Sequence, residues 1–210
     1  MKKDLPNIIP IFPLSGVIYF PKTNLPLNIF ENRYLKLVKD CMEKNNLMGM
    51  VQSKKDSKDV YTVGCLGKIT DHKKSKDGRI LINLTGIIRF EIKTEIFNDK
   101  LYREFEVNYE KFFNDRELNF SNKVDKNNLD LLLQKSKLFF KKFGLLINWN
   151  EFKNLDIEQQ INTLAMIAPI SNEEKQSLLE TVNINDKIKT LCEIIEFYLH
   201  EKDYNNATLQ

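Results

Sequence analysis

The chain has 210 residues, of which 42% are hydrophobic, and a formal net charge of +3. This composition is typical of a folded protein with a substantial core and excludes disorder of the whole chain. So small a net charge gives no global field that would recruit nucleic acid or a membrane. No segment approaches the roughly 20 apolar residues of a membrane span, and prolines interrupt the apolar residues after the basic start, so we predict no signal peptide.

The first stretch of the chain is rich in proline and apolar residues. Pro13, Pro21 and Pro26 exclude a regular helix and hold the preceding residues in extended geometry. Because the residues between them are apolar, we expect short, buried extended segments joined by bends. After Glu31 the apolar residues recur at helical spacing as far as Met42, which predicts a helix.

The next part of the chain predicts strands. Residues 47–51, 60–70 and 79–85 are apolar runs bounded by turn residues, and residues 88–93 and 105–109 alternate apolar and polar side chains. Short strands with one intervening helix must bury one face. The expected arrangement is a mostly antiparallel sheet curled into a partial barrel.

Glycines mark the special backbone positions of this sheet. Gly64 and Gly67 predict a bulge or a close approach of another backbone. The pair Asp77-Gly78 predicts a type I′ hairpin turn, with positive φ at both positions, between a strand that ends near Asp71 and one that begins at Arg79.

After residue 113 the composition changes, because almost all glycines and prolines lie before it. Residues 114–128 are mostly polar and predict a connecting segment. The predicted organisation is therefore a β-barrel domain over residues 1–113, the connecting segment 114–128, and a helical bundle over residues 129–204.

The bundle carries clear helix boundaries. Gly144 ends an apolar stripe as a left-handed cap, and Asp156 is placed to cap the next helix. Ser171 and Glu174 form a capping-box pattern for a third helix. The strongest apolar stripe covers residues 184–199 and predicts the last helix.

One ordered set of residues in the first half resembles the Lon N-terminal domain family, also called the Lon substrate-binding domain. The set comprises two Pro-Leu pairs, an intervening proline, an apolar pair before Glu-x-Arg-Tyr, Val-Gly-x-x-Gly-x-Ile, Asp-Gly-Arg, and a glycine followed by Arg-Phe. The resemblance implies a PUA-like pseudo-β-barrel with one inserted helix, followed by an α-helical bundle. The signature residues are Pro13, Leu14, Pro21, Pro26, Leu27, Phe30, Glu31, Arg33, Tyr34, Gly64, Gly67, Asp77, Gly78, Arg79, Gly86, Arg89 and Phe90.

The resemblance also implies the binding of polypeptide. The sequence has no Gly-x-x-x-x-Gly-Lys-Ser/Thr phosphate loop, and no serine-lysine catalytic pair can be assigned. We therefore expect a stand-alone, non-enzymatic member of the family, without ATPase and protease modules.

Few residues suggest catalysis or metal binding. The two histidines, His72 and His200, lie by a predicted turn and near the C-terminus. Cys65 lies in a predicted strand and has no plausible histidine base nearby in sequence, so we interpret it as a packed residue. The cysteines Cys41, Cys65 and Cys192 are odd in number and far apart, which favours buried reduced thiols in a cytoplasmic protein. No metal-ligand spacing is present. We predict no catalytic residue, no metal and no cofactor.

The polar signature residues allow two interpretations. Glu31, Arg33, Tyr34 and Arg89 could grip a peptide, or they could brace the first helix against the barrel. The second interpretation is favoured, with Glu31 or Arg33 paired with Arg89 or a nearby backbone group.

Two functions follow as hypotheses. The first is binding of a polypeptide segment or protein partner through an apolar groove on the barrel or between barrel and bundle, with the ligand-binding residues left unassigned. The alternative is an RNA- or ribosome-associated PUA-like module that uses the basic hairpin 68–79, since phosphate contacts need lysines and arginines. The basic residues of this hairpin are Lys68, Lys73, Lys74, Lys76 and Arg79.

Overall fold

The computed structural model describes residues 5–55, 57–116 and 124–207, with side chains as far as residue 200. The chain divides into two compact units, Met1–Glu117 and Leu118–Gln210. We call them the first unit and the second unit. The division falls inside the predicted connecting segment 114–128, of which residues 117–123 lie outside the described residues.

The first unit combines a sheet with one α-helix and a 3₁₀ helix, and the chain as a whole has the predicted α+β class. The helix follows the second strand, as predicted, and the 3₁₀ helix follows the last strand. The elements are β1 Ile8–Leu14, β2 Asn24–Ile29, α1 Asn32–Met42, β3 Leu47–Gln52, β4 Val63–Lys74, β5 Ile80–Ile96, β6 Glu104–Asn108 and the 3₁₀ helix Glu110–Arg116.

The six strands are ordered β2-β5-β4-β3-β1-β6, and β5 also pairs with β6. The pairing therefore closes on itself through β5, β4, β3, β1 and β6, while β2 is attached outside this circuit. Only β1 and β3 are parallel, so the predicted mostly antiparallel sheet is confirmed. The one parallel pair makes the sheet mixed, and because register shifts interrupt the β4–β5 and β5–β6 pairings, it is not a regular barrel.

The predicted division of 79–93 into two strands is wrong, because one strand of 17 residues, β5, covers both. Gly86 lies in its middle, where the backbone N–H of Lys22 donates to the Gly86 carbonyl at 3.0 Å and Gly86 N–H donates to the carbonyl of Thr23 at 2.9 Å. A side chain at Gly86 would collide with the backbone of Phe20 and Pro21. The glycine lets this loop close on β5 while the strand continues and changes partners, from β2 to β6.

The hairpin after β4 also differs from the prediction. Strand β4 continues to Lys74, beyond Asp71, and the N–H of Ser75 donates to the Arg79 carbonyl at 2.8 Å. Gly78 has φ +91°, but Asp77 has no positive φ. A type I′ turn needs positive φ at both positions, so this loop is a turn followed by a left-handed glycine. The bulge predicted from the glycines is confirmed by a register shift between Leu66 and Gly67.

Helix α1 packs one face onto the sheet. Its buried residues Tyr34, Leu37, Val38 and Cys41 join the inward-facing apolar side chains of the strands in one core. Cys41, Cys65 and Cys192 are all buried free thiols, as the sequence predicted.

In the described residues of the second unit the secondary structure consists of helices joined by loops, with no strand. Asp156 accepts a hydrogen bond from Gln159 N–H at 2.8 Å, Ser171 and Glu174 form a reciprocal capping box, and Gly144 has φ +69°. These three predicted boundary signals are confirmed, whereas the short α3 was not predicted. No described helix is long and apolar enough to cross a bilayer. The helices are α2 Lys126–Lys142, α3 Trp149–Phe152, α4 Ile157–Ile167, α5 Asn172–Glu180 and α6 Ile184–Ala207.

Candidate binding cleft

A cleft of about 730 Å³ opens in the first unit. It lies between the end of β1, the start of α1, the 53–59 loop and the β5–β6 hairpin. The signature residues Pro13, Leu14, Glu31, Arg33 and Tyr34 all line it. The cleft is therefore the place where the largest group of signature residues comes together.

The floor of the cleft is aromatic. The rings of Phe12, from β1, and Tyr34, from the first turn of α1, lie with centroids 4.1 Å apart at 34°. Both residues are only 6% exposed, and burial raises the pKa of the Tyr34 hydroxyl. The floor is thus a rigid, uncharged surface held by the hydrophobic core.

One wall is built around Arg103. Its Nε and Nη2 donate to the two carboxylate oxygens of Glu95, both at 2.7 Å, and its Nη1 donates to the carbonyl of Lys58 at 3.0 Å. The guanidinium also lies 4.8 Å from the ring centroid of Phe105. Arg103 therefore ties Lys58, in the 53–59 loop, to the β5–β6 hairpin along that side of the cleft.

The opposite wall carries Glu31 and Arg33. Arg33 Nε donates to Glu31 Oε2 at 3.0 Å, and the guanidinium lies 4.5 Å from the Tyr34 ring centroid. The two charged side chains are 44% and 55% exposed. The predicted pairing of Glu31 or Arg33 with Arg89 is wrong. Glu31 and Arg33 bind each other at the rim of the cleft instead.

Arg89 instead has a buried partner that was missed in the sequence. Its Nη2 and Nε donate to the two oxygens of Asp115 at 2.7 and 2.9 Å, and its backbone N–H donates to Asp115 Oδ2 at 2.9 Å. The guanidinium lies 4.4 Å from the Phe112 ring centroid. Arg89 therefore braces the 3₁₀ helix against β5, and not α1 against the sheet.

The other signature residues lie away from the cleft. Gly64, Gly67 and Gly86 stand where a side chain would collide with neighbours, and Phe90 is fully buried. Pro21 is also buried, and Leu27 packs against the core.

Two exposed groups of signature residues remain. Pro26 and Phe30 are exposed at and just after β2. Asp77, Gly78 and Arg79 form the tip of the β4–β5 hairpin, where Arg79 Nε lies 3.1 Å from Asp77 Oδ2. The lysines of this hairpin, Lys68, Lys73, Lys74 and Lys76, are all exposed.

Several residues of the cleft gave no signal in the sequence. Lys58, Asp59, Glu95 and Arg103 belong to no local motif. Glu95 and Arg103 meet because β5 and β6 pair, and Lys58 joins them through its carbonyl, which accepts from Arg103. Their only visible property was charge, which many surface residues share. In the part of the chain that the structure describes, no three histidine, cysteine or acidic residues form a metal-binding group.

Replacing Glu95 with glutamine should make the stability of the first unit less sensitive to acid. The Arg103 hydrogen bonds hold the pKa of Glu95 below its ordinary value. Because the pKa of Glu95 is lower in the folded state than in the unfolded state, the Glu95–Arg103 pair stabilises the fold fully above the unfolded-state pKa of about 4.3. This stabilisation is lost as the pH falls through the folded-state pKa. We expect Glu95→Gln to cost at most about 1 kcal/mol at pH 7, and the difference from wild type to shrink at pH 3.

Urea unfolding at the two pH values, followed by circular dichroism, measures this difference. Glu110→Gln, at an exposed site outside the cleft, is the control. A difference that stayed constant or grew toward low pH would contradict the assignment.

The fold is that of Lon N-terminal domains. It matches the crystal structure of a Lon N-terminal domain protein from Xanthomonas campestris with a TM-score of 0.64 at 21% identity, covering 88% of this chain and 96% of that one. It also matches the N-terminal domain of the Mycobacterium avium complex Lon protease with a TM-score of 0.61 at 15% identity, over 90% of this chain and 98% of that one.

The chain belongs to the ATP-dependent protease La (LON) substrate-binding domain family, whose model matches residues 8–196. Among curated relatives, the Lon proteases of Buchnera aphidicola and Syntrophus aciditrophicus are 27% and 25% identical over 90% and 93% of this chain. The chain spans about a quarter of the length of these relatives. The predicted membership of the Lon N-terminal domain family is thereby confirmed.

Proposed function

We propose that the first unit is a non-enzymatic module that binds polypeptide segments in the cleft. Membership of a substrate-binding domain family supports the binding of protein substrates. The observation that carries the proposal is the combination, in one cleft, of an aromatic floor with exposed charges of both signs.

This combination suits a polypeptide chain. Phe12 and Tyr34 are each only 6% exposed, so covering them removes little apolar surface from water, and their part is to give apolar side chains of the ligand an uncharged surface to pack on. Exposed ion pairs such as Glu31–Arg33 contribute only about 0–1 kcal/mol, so they can exchange partners with charged or backbone groups of a ligand at little cost. The predicted apolar groove thus becomes, in this proposal, an apolar floor between charged walls.

The charges also argue against a phosphate ligand in the cleft. Its walls contain as many acidic as basic residues, namely Glu31, Asp59 and Glu95 beside Arg33, Lys58 and Arg103. Phosphate recognition depends on an excess of positive charge, which this balanced set does not provide. A polypeptide, with both signs of charge and many neutral polar groups, fits it better.

Filling the cleft should weaken polypeptide binding. Ser15 is an exposed residue of the lining, so Ser15→Trp would place a large ring in the cleft with little disturbance of the core. We expect at least tenfold weaker binding of fluorescein-labelled, reduced and carboxymethylated α-lactalbumin, measured by fluorescence anisotropy. Ser177→Trp, at an exposed site on α5, is the control and should bind as wild type does.

Equal affinity of the Ser15→Trp and Ser177→Trp proteins, with unchanged melting temperatures, would contradict the cleft as the binding site. Failure of the wild-type protein to bind any unfolded polypeptide would contradict the proposed function itself.

The basic hairpin supports RNA binding less well. Its lysines are exposed, but Arg79 is paired with Asp77, and the described hairpin residues include no phenylalanine, tyrosine or tryptophan on which a base could stack. Salt-dependent RNA binding that is abolished by charge reversal at Lys73, Lys74 and Lys76 would favour this alternative over polypeptide binding.

A further inference from the structure

We propose that the free edge of β2 binds an extended polypeptide segment by backbone hydrogen bonding, as an added strand of the sheet. This inference rests on the proposed function and specifies it. The ligand would be recognised mainly through its main chain, which every unfolded segment presents, and the site would continue into the cleft.

Strand β2 is the end of the sheet. It pairs antiparallel with β5 from Asn24↔Thr85 to Ile29↔Ile80, and it has no other strand partner among the described residues. A strand with one unpaired edge presents a row of N–H and C=O groups that can pair with another chain.

The hydrogen-bond phase shows which groups face outward. Gly86 N–H donates to the Thr23 carbonyl at 2.9 Å, so Thr23 faces β5. Because the direction alternates along an antiparallel strand, Leu25, Leu27 and Ile29 also bond to β5. The N–H and C=O of Asn24 and Asn28 then point away from it.

The position of Pro26 independently supports this assignment of which β2 residues bond to β5 and which point outward. It lies between Asn24 and Asn28, at an outward position, where its missing N–H leaves the pairing with β5 intact. Its carbonyl remains available as an acceptor. The outward groups are therefore spaced at every second residue, as an incoming strand requires.

The side chains beside this edge favour a ligand that alternates apolar and polar residues. Leu25 and Leu27 are half-buried on the inner face, and Asn24 and Asn28 are exposed on the outer face. Phe30, just beyond the strand, is 64% exposed. A bound strand with apolar side chains on its inner face would cover Leu25 and Leu27 and could reach Phe30.

A second copy of the chain fits this edge poorly. In the symmetric antiparallel register that overlaps all of β2, which is centred on Pro26, Asn24 of each copy would face Asn28 of the other, and Pro26 would face Pro26. Neither proline has an N–H, so the central pair would form no hydrogen bond. A foreign segment can donate an N–H to the Pro26 carbonyl instead.

The edge also leads to the cleft. Glu31, which lines the cleft, follows the last residue of β2 by only two positions, or roughly 7 Å of extended chain. One polypeptide could therefore pair with β2 and continue across the aromatic floor. Backbone pairing would supply affinity for any sequence, and the cleft would add a preference for apolar side chains.

The test compares variants that differ only in the outward N–H. Asn28→Pro removes this N–H without removing a bond to β5, and Asn28→Ala removes the side chain but keeps the N–H. The probe is a fluorescein-labelled peptide of alternating valine and threonine, with anisotropy as the readout. We expect Asn28→Pro to bind it about tenfold more weakly than Asn28→Ala, with both proteins folded by circular dichroism.

A second measurement uses the unaltered protein. Two versions of the peptide carry N-methyl groups on all valines or on all threonines. One version should lose binding and the other should keep it, because only alternate N–H groups of a strand face β2. Hydrogen exchange of the Asn24 and Asn28 amides should slow when the unmethylated peptide is bound.

The outcomes separate this inference from the proposed function. Equal binding of the two methylated peptides, or unchanged exchange at Asn24 and Asn28 while carboxymethylated α-lactalbumin still binds, would overturn edge pairing and leave the cleft proposal standing. A dimer in analytical ultracentrifugation that Asn28→Pro dissociates would show that a second copy covers the edge, and would also overturn it. Absence of any polypeptide binding would overturn both.

Discussion

Replacing Arg89 with alanine should lower the free energy of unfolding of the first unit by about 3–5 kcal/mol. Arg89 and Asp115 form an ion pair whose side chains are only 4% and 3% exposed. Removing one member leaves the other charge buried without its partner, and this desolvated charge is the main cost. Urea unfolding followed by far-ultraviolet circular dichroism measures the loss.

The matched control is Arg33→Ala, which breaks the exposed Glu31–Arg33 pair. We expect this change to cost about 0–1 kcal/mol, although both arginines are signature residues. The double variant Arg89→Ala/Asp115→Ala should lose less than the sum of the two single variants, since it leaves no unpaired buried charge. Similar losses for Arg89→Ala and Arg33→Ala would contradict the structural role assigned to Arg89.

Replacing Gly64 with alanine should destabilise the first unit by about 3 kcal/mol, the upper part of the usual range for overpacking. A Cβ at this position would lie 2.6 Å from Val51 Cγ1 and 2.7 Å from Phe90 Cζ, and would also meet the carbonyl oxygen of Met50. A backbone oxygen in a paired strand cannot move aside as the end of a flexible side chain can. The strands β3 and β4 would have to separate locally.

Gly78→Ala is the control for this change. Gly78 has φ +91°, and no neighbouring atom lies within 4 Å of the position that a Cβ would occupy, so alanine there meets only backbone strain of about 1–2 kcal/mol. The same urea titration compares the two variants. A Gly64→Ala protein as stable as Gly78→Ala would mean that the β3–β4 pairing is looser than the structure indicates.

The burial and packing of these residues show that one sequence signature contains both buried residues of the sheet and exposed residues of the cleft rim. Arg89 and the close-packed glycines hold the sheet together, and their loss should be detected as lost stability. Glu31 and Arg33 lie at the rim of the cleft, where substitution should change binding more than stability. Separate measurements of stability and affinity are therefore needed to assign each signature residue.

Much of the fold was predictable because its signals are local. The Ser171–Glu174 capping box, the Asp156 cap and the left-handed Gly144 each depend on hydrogen bonds or backbone angles within a few residues. The apolar periodicity of α1 likewise identified Tyr34 and Val38 as buried, whereas Leu35 and Met42, which share that periodicity, are only partly buried. The prediction of a type I′ turn was wrong because Asp-Gly is compatible with more than one hairpin loop. Which loop forms depends on how far β4 and β5 pair.

The candidate site was only half predictable. Glu31, Arg33 and Tyr34 were noticed because they follow one another in a motif, but their interpretation as a brace depended on a partner that the sequence could not identify. Asp115 was assigned to a polar connecting segment because nothing nearby in sequence marks it as buried. Glu95 and Arg103 meet through the β5–β6 pairing, which no local pattern reveals.

The amino-acid sequence alone was sufficient for the family, the α+β class and most helix boundaries, since these depend on residue types at short, fixed spacings. The tertiary structure decided which charges are buried and which are exposed at the rim of the cleft. The reason is physical. Arg89 and Arg33 have the same side chain, but only Arg89 is brought by the fold against a buried carboxylate, that of Asp115, which lies 26 residues away in the sequence. The cleft and the free edge of β2 exist for the same reason, because both are created by strands that meet from distant parts of the chain.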